Sequence, residues 1–135
     1  MDYQQCLEME DGRFDILFGR DEMILASLAV GAEGWIGSTY NYAGLLHRNL
    51  IAAFQSGEMT EARRCQKAVH DIIQVIIEAG GLAAGKMASR ACGLDLGPVR
   101  APLKPLSETE TVRLMDRLKG LPLGLHLETN ILPTS

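Results

Sequence analysis

Two short groups of residues have the chemistry to bind a hydroxylated small molecule. Asp21 and Glu22 follow one short apolar segment, and Gly37 and Ser38 lie near the end of a second one. An ionised carboxylate only accepts hydrogen bonds, so a pair of acids can hold the vicinal hydroxyl groups of a sugar. A glycine beside a serine allows a close backbone approach and supplies a hydroxyl. The residue types therefore indicate a site for a sugar-like ligand.

The same residues also have a purely structural interpretation. Acids in the first turn of a helix complement its dipole, which would account for Asp21 and Glu22 without any ligand. Ser38 stands in a stretch that would also serve as a strand-to-helix turn, with Thr39 or Asn41 as the N-cap. Spacing alone leaves both interpretations open.

Two predicted strands and a helix must position these groups. FDILFG (14–19) and GWIGST (34–39) are short apolar segments that end in glycine or small polar residues, which predicts buried strands. Residues 21–30 are rich in alanine and leucine and predict a helix between them. A strand, a helix and a strand of these lengths form a βαβ unit with parallel strands. Ligands of a barrel built from such units bind at the carboxyl ends of the strands, where both groups stand.

The rest of the chain predicts helices. The expected helices span 41–55, 58–79, 82–92 and 107–119, and a partial helix is expected over 2–10. Ser107 and Glu110 have the spacing of a capping box at the start of the last helix. Residues 94–106 contain three of the five prolines and must be extended or turning. We divide the chain into the βα units at 1–57, a helical extension at 58–120 and a tail at 121–135.

The composition limits the classes of partner. The chain has 135 residues, of which 47% are hydrophobic and 22% are charged, and its net charge is −4. Such a chain lacks the basic face that nucleic-acid binding needs. No apolar run reaches the roughly 18 residues of a membrane span, and the acidic start is unlike a signal peptide. We expect a cytosolic chain that binds neither nucleic acid nor a membrane.

The cysteines and histidines suggest no further chemistry. Cys6, Cys65 and Cys92 are too few and too scattered for a disulfide framework or a zinc site. We expect Cys65 and Cys92 to be packed thiols. His47 and His70 have no acid or nucleophile at a suitable spacing, so we expect ordinary surface or boundary residues. Neither a metal nor a cofactor is predicted.

Two parallel strands do not make a complete sheet. They leave two open edges and too little surface for helices to cover on both faces. The pattern therefore favours a piece of a larger α/β assembly, such as the C-terminal part of a (β/α)₈ barrel of about 250 residues. The alternative is a small domain of three or four helices with an N-terminal β extension.

Two segments resemble a known enzyme superfamily. FGRDEMILASLAVGAEGWIGSTYNY (18–42) resembles the N-acetylneuraminate lyase branch of the dihydrodipicolinate synthase superfamily, in its Gly-x-Asp-Glu turn and its Gly-Ser-Thr-Tyr-Asn run. GLDLGPVRAPLKPLSE (93–108) resembles the segment before the last helix of the superfamily as a whole. The resemblance extends from residue 2 to about residue 120.

The resemblance implies a fold and an activity. Its members are (β/α)₈ barrels with three extra C-terminal helices, usually tetrameric. They form a Schiff base between a lysine and pyruvate, and the lyase branch cleaves sialic acid to N-acetylmannosamine and pyruvate. The chain would then be the last two βα units of the barrel plus the extra helices, within a homo-oligomer. Its substrates would be pyruvate and sialic acid or a related sugar acid.

The resemblance also implies roles for five residues. Gly19, Asp21, Glu22 and Ser38 would contact the sugar acid, and Gly37 would keep the backbone close to the ligand. The Schiff-base lysine and the catalytic tyrosine would align upstream of Met1, so no catalytic residue is expected in this chain. The alternatives are an aldolase for another 2-keto-3-deoxy sugar acid, a dihydrodipicolinate synthase-like enzyme, or a non-catalytic module that associates with lyase subunits through residues 58–92.

The lysines lead to the first testable prediction. A Schiff-base lysine needs an apolar site that lowers its pKa. Lys67, Lys86 and Lys119 fall on predicted amphipathic helices, and Lys104 lies between two prolines. We therefore expect borohydride reduction of the 135-residue chain with pyruvate to give no covalent adduct. A mass increase on any of the four lysines, detected by mass spectrometry of the peptides, would contradict this expectation.

Overall fold

The computed structural model describes residues 2–122, so all but the first two residues of the predicted tail lie outside it. The predicted helices are present within this part of the chain. Six α-helices are found there: α1 (Asp2–Glu8), α2 (Ile24–Ala29), α3 (Tyr40–Gln55), α4 (Met59–Glu78), α5 (Leu82–Ala91) and α6 (Glu108–Lys119). Short 3₁₀ turns follow α1 at Met9–Gly12 and precede α2 at Asp21–Met23.

Helix α4 lies at the centre of the main core. Its apolar face packs against α3, α5 and α6, and the alanines of α5 allow the helices to approach closely. The buried members are Tyr42, Ala43, Ile72, Val75, Ile76, Ala84, Ala88, Leu114 and Leu118. A second cluster of Ile24, Leu50 and Cys65 joins α2 to α3 and α4. Cys65 is buried and Cys92 packs against the main core, which confirms that both are packed thiols.

The ends of the last helices follow the sequence signals. The backbone N–H of Glu110 donates to the Ser107 hydroxyl at 3.3 Å, and the backbone N–H of Ser107 donates to the Glu110 carboxylate at 2.8 Å. The predicted capping box is thus confirmed. Gly80 and Gly81, both with positive φ, separate α4 from α5. Residues 94–106 contain no helix, as the prolines predict.

The two predicted strands are wrong in extent. In the described residues, 14–19 and 34–39 meet only at one isolated parallel bridge between Phe18 and Trp35. The Phe18 N–H donates to the Gly34 carbonyl at 2.8 Å, and the Ile36 N–H donates to the Phe18 carbonyl at 3.1 Å. The parallel direction is as predicted. The pairing stays short because a parallel pair with no further strand on either side gains few ladder hydrogen bonds and little burial.

Side chains hold this bridge against α2. The Trp35 indole N–H donates to the Ser27 hydroxyl at 2.7 Å, and that hydroxyl donates to the Ile24 carbonyl at 2.7 Å. On the other side, the rings of Tyr3 and Phe18 meet edge to face with centroids 5.1 Å apart. The predicted helix over 21–30 is divided, because its first turn is the 3₁₀ segment that contains Asp21 and Glu22.

Among residues 2–122, no single helix is long and apolar enough to cross a membrane. Only α4 and α5 taken together reach the required length and composition, and the pair is bent by 118°. The apolar residues of both helices contribute to the main core described above.

The exposed apolar residues around the bridge lead to the second prediction. Phe14 is 40% exposed, Leu17 51% and Ile36 62%, beside a bridge whose outer edges have no strand partner within residues 2–122. We expect the 135-residue chain to self-associate, with a mass by light scattering well above 14.7 kDa. Ile36→Ser should weaken the association. Val112→Ser removes an equally exposed side chain from α6 and should not. A monomeric parent chain with a sharp, concentration-independent thermal transition would contradict the prediction.

Candidate functional site

The structure brings the two predicted groups of residues together at Asp21. This half-buried acid follows the bridge residue Phe18, and its Oδ2 atom accepts two hydrogen bonds from Thr39. The Thr39 backbone N–H donates at 3.0 Å and the Thr39 hydroxyl at 2.6 Å. The ends of the two apolar segments, 18 residues apart in sequence, are therefore joined by a side chain.

Thr39 occupies the N-cap position of α3, but its side chain does not cap the helix. Of the two N-cap candidates, Asn41 instead donates from its amide to the Ser38 carbonyl at 3.1 Å. The Thr39 hydroxyl instead donates to Asp21, and a charge-assisted hydrogen bond of this kind contributes about 1.5–3 kcal/mol, against about 1 kcal/mol for a neutral one. The Thr39 hydroxyl, one of the two groups predicted to cap α3, therefore binds Asp21 in the candidate site instead.

The hydrogen bonds keep Asp21 ionised. Partial burial raises the pKa of its carboxyl group, but hydrogen bonds from the hydroxyl and the N–H of Thr39, together with those of the Glu22 side chain and the backbone of Asp21 itself, hold the pKa below its ordinary value. Asp21 is therefore a negatively charged acceptor at neutral pH. A carboxylate with two fixed donors on one oxygen has a defined orientation, which is what recognition of a hydroxyl group needs.

Gly37 makes room for Asp21. A Cβ atom on Gly37 would lie 2.6 Å from Oδ2 and 2.8 Å from Cγ of the acid, closer than real contacts allow. The family resemblance implies a close approach of the Gly37 backbone to a ligand, whereas here the close approach is to the acid. Gly19 differs, since a Cβ there meets nothing within 4 Å and its backbone lies outside the left-handed region.

Helix α4 holds the Asp21–Glu22 turn from the other side. The Gln66 amide donates to the Glu22 carbonyl at 3.0 Å, and its oxygen accepts the Leu25 N–H at 2.9 Å. The His70 ring Nε2 lies 2.8 Å from the same Glu22 carbonyl. His70 is exposed, as expected, but it also supports the turn. The Glu22 carboxylate itself pairs with the Arg20 guanidinium at 3.2 Å.

Ser38 is exposed beside the buried ring of Tyr42. Burial and the negative charge of Asp21 raise the pKa of Tyr42 to about 12, and a side-chain hydrogen bond with Ser38 acts in the opposite direction. Tyr42 therefore stays a neutral phenol at physiological pH. Ser38 and Tyr42 add neutral hydroxyl groups next to the charged acid.

The prediction for His47 is wrong: the residue is buried, with 2% of its surface exposed. Its Nε2 atom lies 3.2 Å from the Thr39 hydroxyl and its Nδ1 atom 2.8 Å from the Ala43 carbonyl. The ring of Tyr40 meets it edge to face, with centroids 4.5 Å apart. No acid lies near it in sequence, so spacing gave no signal. Its hydrogen-bonded connection to Asp21 passes through Thr39.

A cleft of about 320 Å³ opens beside these residues. Asp21, Ser38 and Thr39 form part of its polar side, and α4 and α5 supply an apolar wall that includes Ile77 and Leu82. A volume near 300 Å³ fits a small molecule, and the mixture of polar and apolar walls suits a ligand with hydroxyl groups and an apolar substituent. Within residues 2–122, no group of three histidine, cysteine or acidic side chains is arranged to hold a metal ion.

A match to a known protein family covers nearly all of the described residues. The family model described as the dihydrodipicolinate synthetase family matches residues 2–121. The chain belongs to this family. Among its relatives, N-acetylneuraminate lyase A of Xenopus laevis is 41% identical over 105 residues, 76% of this chain and 34% of that protein. N-acetylneuraminate lyase of Mus musculus is 33% identical over 124 residues, 90% of this chain and 39% of that protein.

Solved structures of the family have the same fold over the matched part. The Proteus mirabilis N-acetylneuraminate lyase is 43% identical with a TM-score of 0.83, over 87% of this chain and 40% of that one. A dihydrodipicolinate synthase of Bacillus anthracis is 31% identical with a TM-score of 0.76, over 89% of this chain and 41% of that one. The family membership that the two sequence segments predict is thus confirmed. The chain spans well under half the length of these relatives.

The contact between Gly37 and Asp21 leads to the third prediction. Gly37→Ala places a methyl group against the carboxylate and must displace it from Thr39. We expect a loss of about 1–3 kcal/mol in the free energy of unfolding, measured by urea titration at fixed protein concentration. The matched control is Gly19→Ala, which fills open space and should change the stability by less than about 0.5 kcal/mol. Equal free energies of unfolding for the Gly37→Ala and Gly19→Ala variants would contradict a close contact between position 37 and the Asp21 carboxylate.

Proposed function

We propose that this chain forms the sugar-binding side of the substrate pocket in an N-acetylneuraminate lyase-like aldolase. It would constitute the last two βα units of a (β/α)₈ barrel together with the C-terminal helices. The observation that carries the proposal is the ionised Asp21 carboxylate, held by Thr39 at the edge of a cleft. Ser38 and the backbone of Glu22 adjoin it.

The incomplete bridge supports the barrel assignment. Phe18 and Trp35 pair in parallel, no further strand pairs with either of them within residues 2–122, and apolar residues nearby remain exposed. Parallel strands occur in sheets that are covered on both faces, so such a pair fits the interior of a larger sheet. The matched part of the relatives is about two fifths of their length, which leaves room for six further βα units upstream.

The named relatives support the substrate class. Two solved structures called N-acetylneuraminate lyase match this chain at 43% and 39% identity with TM-scores of 0.83, against 31% and 0.76 for the dihydrodipicolinate synthase, while another lyase matches at 22% and 0.73. N-acetylneuraminate is a keto acid with a polyhydroxylated chain. Acceptors such as Asp21 and Glu22 suit its hydroxyl groups. These figures favour the lyase over the other aldolases of the superfamily.

Each residue has a distinct role in this proposal. Asp21 and Glu22 accept hydrogen bonds from hydroxyl groups at the sugar end of the substrate. The Ser38 hydroxyl forms a further hydrogen bond with the substrate. Gly19 has no side chain that would occupy the space beside the ligand. Gly37 leaves room for the Asp21 carboxylate, which a Cβ atom at that position would contact too closely. The lysine that forms the Schiff base with pyruvate, and the catalytic tyrosine, would belong to the upstream part of the barrel. A cytosolic location and a tetrameric assembly stay predictions.

A chimeric enzyme tests the proposal and gives the fourth prediction. Residues 2–122 replace the matching segment of the Proteus mirabilis lyase, so that the upstream catalytic residues come from that protein. We expect the chimera to cleave N-acetylneuraminate. Asp21→Asn in the chimera exchanges one acceptor oxygen for a donor and removes the charge. We expect kcat/KM to fall by about 10- to 100-fold, corresponding to about 1.4–2.7 kcal/mol.

Two controls separate a binding defect from misfolding. Borohydride trapping of pyruvate by the Asp21→Asn chimera should be nearly unchanged, because Asp21 contacts the sugar end of the substrate. Asp116→Asn removes the same charge from the exposed face of α6 and should leave kcat/KM unchanged. If the Asp21→Asn chimera cleaved N-acetylneuraminate with the same kcat/KM as the parent chimera, the proposal would be contradicted. A chimera that traps pyruvate but does not cleave N-acetylneuraminate would also contradict it.

A further inference from the structure

Three side chains form a chain of hydrogen-bonding groups behind the candidate site. The Thr39 hydroxyl lies 2.6 Å from Oδ2 of Asp21 and 3.2 Å from Nε2 of His47. The other ring nitrogen of His47, Nδ1, lies 2.8 Å from the Ala43 carbonyl. Both Thr39 and His47 are buried, with 4% and 2% of their surfaces exposed. Water therefore has little access to compete for these contacts.

The number of protons shared by these three side chains depends on whether the His47 ring is protonated. The Ala43 carbonyl only accepts, so the proton of a neutral imidazole resides on Nδ1 and leaves Nε2 as an acceptor. The Thr39 hydroxyl then has one proton and two acceptors, Nε2 and the Asp21 carboxylate. When the imidazole is protonated, Nε2–H donates to the hydroxyl oxygen. The hydroxyl proton is then committed to Asp21, and every contact has a donor and an acceptor.

We propose that His47 is a positioning residue that controls, through Thr39, how firmly Asp21 is held. Protonated His47 commits the hydroxyl to the carboxylate, and neutral His47 competes for it. This inference deepens the proposed function, because Asp21 is the carboxylate assigned there to the substrate. The hydrogen-bond chain can be measured without a substrate, so its failure is distinguishable from failure of the proposed function.

The surroundings of His47 make Asp21 the charge that acts on it. Tyr40 meets the ring edge-on, and burial together with the charges of Asp21 and Glu22 raises the pKa of this phenol, which stays neutral. On α4, Cys65 is buried and its raised pKa keeps the thiol neutral. Helix α2 has no titratable residue. On α5, the Lys86 ammonium is bound to the carbonyls of the 94–106 segment.

The direction of the pH dependence follows from burial. Burial lowers the pKa of His47, while the Ala43 carbonyl and the charge of Asp21 raise it, and the net direction is downward. The unfolded chain therefore takes up the proton first as the pH falls below about 6.5, and folding stability decreases there. The pKa of Asp21 is also lowered, so its contribution is present above about pH 4 and is lost only below that value. As the pH falls, the two losses of stability therefore begin at different pH values.

The experiment records both titrations in the 135-residue chain. The ring carbon of His47 and the carboxyl carbon of Asp21 are followed by ¹³C NMR from about pH 3 to about pH 8, a range that spans the ordinary pKa values of both groups. His47→Gln assigns the histidine signal. We expect the Asp21 signal of the parent chain to respond at the pH where His47 titrates. Asp21→Asn, which preserves the shape of the side chain, should reduce the proton affinity of His47 about tenfold.

Variants of Thr39 give the matched control. Thr39→Ser keeps the hydroxyl group and should preserve the response of Asp21 to the titration of His47. Thr39→Val removes the hydroxyl with little change of volume and should weaken that response, because only the through-space effect of the charge then remains. An unchanged His47 titration in Asp21→Asn would overturn the proposal. A parent chain in which Asp21 does not respond, or a response of undiminished size in Thr39→Val, would also overturn it.

Discussion

The candidate site depends on the hydrogen bond between the Thr39 hydroxyl and Asp21. The backbone bridge brings two segments together at one point, but it does not determine where the acid points. The side-chain bond does, because with the Thr39 N–H it places two donors on one carboxylate oxygen. It also opposes the effect of burial on the carboxyl group, so a half-buried acid remains charged. The orientation and the charge of the acid at this turn follow from this contact.

Much of the helical structure and the location of the site could be predicted from sequence, because the signals are local. The capping box of Ser107 and Glu110 and the glycines after α4 mark helix ends within a few residues. The convergence of Asp21 with the Ser38–Thr39 turn follows from parallel pairing, in which the carboxyl ends of neighbouring strands share one edge. Neither inference required distant contacts.

The features that sequence reasoning missed all depend on distant or absent partners. The two segments 14–19 and 34–39 have the composition of strands, but strand length depends on neighbours that the described residues do not include. The sequence gives no signal for the burial of His47, because its hydrogen-bonded connection to Asp21 passes through Thr39 and no spacing rule describes such a series of three residues. Gln66 is 41 residues from Leu25, and a glutamine on a helix face resembles any solvated residue. Only the packing of α4 against the turn reveals its role.

The two contacts of Gln66 give α4 a mechanical part in the molecule. Its amide is tied to the backbone of one turn through both a donor and an acceptor, at Glu22 and Leu25. A small rotation of α4 about its axis would therefore move the turn together with the helix, because both hydrogen bonds would have to break for the two to move independently. The opposite face of the same helix packs on α5 and α6. The packing of α4 on α5 and α6 and the position of the turn that bears the acids are therefore linked through one helix.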